Sequence, residues 1–284
     1  MSSKAQEIHF DIPFGSIAGL RSGVPGGPKV LALHGWLDNA ASFLPLAAQL
    51  PTLDLVMLDL PGHGRSAHLG PGADYNLLVT VNAVLDVADA LGWERFALLG
   101  HSMGAGIASI LAASVPQRIE RLVAIEALGA LAEAPERTAQ RLRDGVAAAR
   151  ALPSKKLRVF PDLGAPIRAR MQANQLSEAS ARLLVERGVA AVDGGFVWSS
   201  DPRLTLPALQ RMTEAQVRAL IAAIDCPARV IFADPAQTYL PEPLRSERAA
   251  LLPRGELTVL PGTHHLHMEA PAEVARAIGG FFGP

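Results

Sequence analysis

A single cysteine, Cys226, occurs in 284 residues. No disulfide can close within the chain, which fits a reducing compartment. Charge is nearly balanced: 26 basic against 27 acidic residues leave a formal net charge of −1. That balance lacks the basic excess of a nucleic-acid binder and excludes such a partner from the reading. No stretch approaches the ~18 consecutive apolar residues of a membrane span. The first residues, "MSSKAQEIHFDIPFG", carry no apolar run fit for a secretory leader. These absences together predict a cytoplasmic globular protein, monomeric or homodimeric, with no membrane span. Hydrophobic residues make up 49% of the chain, enough for a substantial core.

What is present is a rhythm. "IHFDIPF" and "SIAGL" alternate apolar and polar residues and read as an antiparallel hairpin at a sheet edge. Continuous apolar runs follow at 29–35, 53–60, 95–100 and 121–128, each the pattern of a strand buried on both faces. Helical spacing lies between them, with Asn39 as a candidate cap and Gly92 as a stop. Alternation of strand and helix at short spacing predicts a parallel α/β sheet. From 129 to 224 the buried strands stop, and Ala, Arg and Leu recur at helical spacing around a Gly194-Gly195 turn. Strands resume at 226–234 and 255–262, and a helix closes the chain. The expected organisation is a core of 1–128 and 225–284, with 129–224 a helical cap inserted after the sixth strand. Basic residues slightly outnumber acidic ones in that insertion, which reads as solvated helix faces.

The chemistry-bearing residues cluster at strand ends. Gly100-His101-Ser102-Met103-Gly104 fits G-x-S-x-G after a buried strand and before a helix. A turn this tight leaves no room for side chains on either side of its centre, hence the glycines. The central hydroxyl is then exposed at a helix N-terminus, where the Met103 N–H can donate to an oxyanion. "LHGW" turns after another buried strand. The Trp36 N–H is the second candidate donor, and Gly35, His101 and Trp198 are candidate lining residues for a substrate. A serine hydroxyl needs a base, and "LPGTHHLHMEAP" offers His264, His265 and His267 after the last strand. His264 is the expected base, His265 a lining or surface residue, and His267 a packing residue. No Cys or Asp/Glu stands at ligand spacing beside these histidines, so neither metal nor cofactor is expected.

The motifs "HGW", "DLPGHGRS", "GHSMG" and the terminal histidine loop, spanning residues 29 to 283, resemble the α/β-hydrolase fold superfamily. "LSEASARLLVERG", "VWSSDPRL" and "PGTHHLHMEAP" are similar to its serine hydrolase-like branch, read as esterases. The resemblance implies a Ser-His-acid triad. The acid is either Glu126, at the end of "VAIEAL", or Asp234, in "IFADPAQTY", where the Gly-x-x-Asp spacing common in the superfamily is missing. "DLPGHGRS" is read as structural, with Asp59 and Arg65 fixing its loop. The implied activity is hydrolysis of a carboxylic ester or related small acyl compound. A carbon–carbon bond hydrolase, a perhydrolase or a non-catalytic ligand-binding member would keep the same residues. Dehalogenase and epoxide-hydrolase chemistry is excluded, since position 102 is Ser and the only tyrosines, Tyr75 and Tyr239, lie outside the insertion.

Overall fold

Each continuous apolar run becomes a strand with both faces covered. The computed structural model describes residues 5–152 and 157–283; residues 1–4, part of the stretch read for a leader, lie outside them. In chain order the strands are β1 (Gln6–Ile12), β2 (Gly15–Gly23), β3 (Lys29–Leu33), β4 (Asp54–Leu58), β5 (Phe96–His101), β6 (Ile119–Ile125), β7 (Val189–Val192), β8 (Gly195–Trp198), β9 (Ala228–Asp234) and β10 (Gly255–Pro261). The helices are α1 (Leu44–Ala47), α2 (Leu77–Ala90), α3 (Met103–Ser114), α4 (Thr138–Ala151), α5 (Gly164–Asn174), α6 (Glu178–Gly188), α7 (Glu214–Ala222), α8 (Leu244–Ala249), α9 (Leu266–Glu269) and α10 (Pro271–Ile278). Eight strands form one sheet in the order β1-β2-β4-β3-β5-β6-β9-β10. Only β2 runs against the others; β3 to β6, β9 and β10 pair in parallel. The edge hairpin expected from residues 8–20 is β1–β2.

Alternate residues of a strand point to opposite faces, and the two faces have separate cores. Leu31 and Leu33 of β3 pack with α2, α3 and α7, whereas Val30 and Ala32 pack with α1 and α10. Burying each Val or Leu this way contributes roughly 1.5–3 kcal/mol. Asn39 caps as expected, its side chain accepting from the Ala41 N–H at 3.1 Å, but it starts a short 3-10 turn that leads into α1. Asn76 caps α2 by accepting from the Val79 N–H at 3.0 Å.

Between β6 and β9 the chain is mostly helical and also holds a two-stranded hairpin, β7–β8. Its strands are half-buried or exposed, so no buried apolar run announces them. α7 lies in this segment yet inserts Val217 and Ile221 into the main core against α3. Residues 157–206 instead rest over the carboxyl ends of the strands, held by apolar contacts of Leu183 and Leu184 with the core side, Met268 among them, and by a set of polar contacts. Trp36 Nε1 donates to the Leu204 carbonyl at 2.8 Å, and Arg170 ion-pairs with Asp38. Ser199 Oγ donates to the Gly64 carbonyl at 2.7 Å, and Tyr75 donates to Asp201 at 2.9 Å. Arg187 of α6 donates through Nε to Asp59 at 2.9 Å and reaches Glu7 of β1 at 2.8 Å. Asp59 also accepts the backbone N–H of Arg65 at 2.9 Å, while the Arg65 side chain pairs with Glu7. The loop thus draws its buried cation from Arg187 rather than from the Arg65 side chain, a pairing hidden by a sequence separation of 128.

Candidate active site

Ser102 stands between β5 and α3 with φ 51° and ψ −117°. A non-glycine residue with this backbone costs about 1–3 kcal/mol and persists only where its surroundings force it. Here the force is close packing of helix on sheet. A Cβ at Gly104 would sit 1.9 Å from the Leu33 carbonyl oxygen, and one at Gly100 2.5 Å from Ala105 Cα. With both flanks bare, α3 drops onto β3 and β5 and the chain must reverse at Ser102. The Ser102 N–H donates to the Ile125 carbonyl at 2.8 Å, tying the bend to β6. Met103 is the first residue of α3, where N–H groups have no acceptor within the helix.

One strand over, Glu126 follows β6 with a positive φ of 60°. Its N–H donates to the Ile231 carbonyl at 2.9 Å, and its Oε1 accepts from the Ala233 N–H of β9. The carboxylate is 2% exposed, and its Oε2 lies 3.0 Å from His264 Nδ1. A buried carboxylate without partners would be expensive; this one is held on both oxygens. Asp234, at the exposed end of β9, has no hydrogen-bond partner for its carboxylate among the described residues. The structure therefore brings Glu126, and not Asp234, to His264.

His264 occupies the loop after β10. Its carbonyl accepts from His101 Nε2 at 2.8 Å, which anchors the loop to the residue before Ser102. His101 is fully buried, and its ionisation is pushed well below the usual histidine range, first by desolvation and then by the neighbouring His267, His264 and His265. It is thus a neutral imidazole in the wall behind Ser102. His34 of the "HGW" step is also structural: Nδ1–H donates to the Gly35 carbonyl at 2.7 Å and Nε2 accepts from the Leu60 N–H at 2.9 Å. Burial lowers its pKa to about 3. His267 is buried 4.0 Å, ring to ring, from His101, in keeping with a packing role. His265 is neither lining nor surface: it is 2% exposed, with Nε2 3.1 Å from Asp38 Oδ2.

Gly35 abuts the His101 ring, where a Cβ would meet Nδ1 at 2.9 Å. The Trp36 side chain lies exposed across the sheet's end. Trp198 packs half-buried among Phe160, Ile167, Leu184 and Met268.

One residue at the site was not foreseen. The Tyr239 hydroxyl lies 3.1 Å from His264 Nδ1 and 3.4 Å from Nε2, near enough to the Ser102 hydroxyl for that group to act on its ionisation. The phenol's pKa is raised, first by desolvation and then by the Glu126 charge, with the Ser102 hydroxyl pulling the other way. Tyr239 sits in an irregular stretch between β9 and α8, where no periodicity marks it. The cue available was its scarcity, as one of two tyrosines.

A family model described as the alpha/beta hydrolase fold matches residues 28–176. The serine hydrolase-like protein of Danio rerio is 30% identical, over 100% of this chain and 90% of its own length. A crystal structure of the hypothetical protein PA1622 from Pseudomonas aeruginosa PAO1 superposes with a TM-score of 0.92 at 41% identity, covering 98% of this chain and all of that one. The thioesterase domain from the curacin biosynthetic pathway superposes with a TM-score of 0.85 at 26% identity, covering 97% and 99%.

Proposed function

Because the chain belongs to the alpha/beta hydrolase fold family, in its serine hydrolase-like branch, and is by that membership a hydrolase, we propose that it cleaves a carboxylic ester or related small acyl compound through an acyl-enzyme. The observation that carries this reading is the 3.0 Å contact of His264 with the buried Glu126, taken with a serine held at a strained strand–helix bend whose Oγ makes no hydrogen bond to His264 among the described residues and closes on it in the reaction.

In this scheme His264 Nε2 takes the Ser102 proton as Oγ attacks the acyl carbon. The new oxyanion is held by the Met103 and Trp36 N–H groups. Glu126 keeps the His264 proton on Nδ1, so that Nε2 presents its lone pair, and it stabilises the imidazolium once formed. Collapse of the tetrahedral adduct breaks the bond to the leaving group, which departs with the proton from His264. A water then repeats the sequence: its proton goes to His264, its oxygen bonds to the acyl carbon, and Ser102 is released as the acid leaves. No cofactor or metal enters these steps. The Tyr239 hydroxyl, which contacts His264, positions that ring before substrate binds. The segment over the strand ends acts as the cap that shapes the pocket and keeps water out. The setting is read as cytoplasmic, with a small-molecule substrate and no nucleic-acid partner.

A fluorophosphonate probe tests the reading. Wild type is expected to be labelled and to hydrolyse short activated esters, and Ser102→Ala to do neither. A folded wild type that takes no label and turns over no ester or thioester would favour a ligand-binding member of the fold and reject the proposal. A panel adding lactones and ring-cleavage dienes separates acyl from carbon–carbon hydrolysis.

A further inference from the structure

The histidine loop has no carboxylate at ligand spacing in the sequence, but folding supplies one. Asp38, on the loop after β3, is 2% exposed, and its Oδ2 lies 3.1 Å from His265 Nε2 and 3.8 Å from His101 Nδ1. These three donor atoms all fall within 4.8 Å of one another, and all three residues are buried. Two of them are held from behind. Asp38 Oδ1 pairs with Arg170 of α5. His101 donates its Nε2 proton to the His264 carbonyl, so its Nδ1 carries a lone pair.

That lone pair has no hydrogen-bond partner among the described residues. An orphaned buried acceptor costs about 1–3 kcal/mol and calls for an explanation. A second observation sits beside it. A Cβ at Gly35 would stand 2.9 Å from His101 Nδ1 and 3.1 Å from Asp38 Oδ2. Glycine therefore leaves a small space flanked by two of the three donors.

Two of the three separations, 3.1 and 3.8 Å, bracket the ~3.3–3.5 Å between ligands that bonds of ~2.0–2.1 Å set around a tetrahedral ion; the third, between His101 Nδ1 and His265 Nε2, lies within 4.8 Å, and the two rings close on the ion as it binds. Two imidazoles and one carboxylate suit zinc and its neighbours rather than magnesium or calcium, which take oxygen. We infer that Asp38, His101 and His265 bind a divalent transition ion of the zinc class, at a site distinct from Ser102, His264 and Glu126. His265 offers Nε2 once its proton moves to Nδ1, which has no partner of its own. The ion then takes the place of the proton between His265 Nε2 and Asp38 Oδ2. The inference stands whether or not the chain performs acyl chemistry.

The test uses the full chain, stripped with a chelator and titrated with Zn²⁺ by calorimetry. Co²⁺ absorption and an anomalous map at the zinc edge locate the ion. One ion per chain is expected, ligated by these three residues. His265→Gln is expected to weaken binding at least ~10-fold. Gly35→Ala keeps every donor but fills the space, and is expected to weaken binding comparably. His264→Gln is expected to bind as wild type does. Circular dichroism checks that each variant is folded. The inference falls if folded wild type binds no ion, or if the space holds a water at hydrogen-bond distance in zinc-soaked crystals. It also falls if binding is lost in His264→Gln and kept in the other two, which would put the ion at the candidate active site.

Discussion

At the scale of single residues, the choice of acid was the open question and geometry supplies a preference. Both Glu126 and Asp234 end parallel strands, but only Glu126 has its carboxylate turned under the sheet's rim and bonded to His264. Glu126→Gln is therefore expected to lower kcat by a factor on the order of 10³ to 10⁴, while Asp234→Asn leaves it within about twofold. Parallel kinetics on an activated ester check both, and a fully active Glu126→Gln would remove Glu126 from the scheme. Tyr239→Phe deletes one hydroxyl that contacts the catalytic imidazole of the scheme. A neutral hydrogen bond is worth about 1 kcal/mol, so a fall of roughly fivefold in kcat is expected, with unchanged melting. Ser102 and His264 were legible because each sits at a fixed offset from a strand. Tyr239 and Asp38 were not, because contacts made across 25 or 227 residues, to His264 and His265, leave no local periodicity.

Among elements, the most constrained joint is that of β3, β5 and α3. Alanine at a helical position is normally better than glycine by about 1 kcal/mol. At Gly104 the added carbon would lie 1.9 Å from the Leu33 carbonyl oxygen; at Gly106 the nearest atom, the Gly129 oxygen, is 3.1 Å away. Gly104→Ala is thus expected to destabilise by more than about 4 kcal/mol or to prevent folding, and Gly106→Ala by much less. Urea midpoints of the two variants make the comparison, and equal midpoints would contradict it. The core strands were readable in advance because burial on both faces leaves unbroken apolar runs. The β7–β8 hairpin was not, since its faces are half-exposed and its composition matches the helices around it.

For the whole molecule, four histidines set the response to acid. His34, His63, His101 and His267 all have pKa values lowered by burial, to about 3 in His34. In the unfolded chain each titrates near ~6.5. Below that pH the unfolded state takes up protons that the folded state refuses, so stability is complete above about 6.5 and is lost as pH falls toward the native values. The slope approaches ~1.4 kcal/mol per pH unit for each histidine. Asp38, whose pKa is also depressed in the fold, adds a loss of the same sign at lower pH. Melting temperature is expected to drop between pH 7.5 and 5.5, and a flat profile would show that these rings are accessible to protons.

The polar seam beneath residues 157–206 has a separate consequence. Arg187 with Asp59 and Glu7, Arg170 with Asp38, and Trp36 with the Leu204 carbonyl bear much of the join. Lifting that layer breaks these bonds and wets the apolar contacts around Leu183, Leu184 and Met268, far fewer residues than the two cores flanking the sheet hold, and the steepness of a denaturant curve tracks wetted area. Partial detachment accordingly registers in amide exchange and protease nicking well before a urea titration moves.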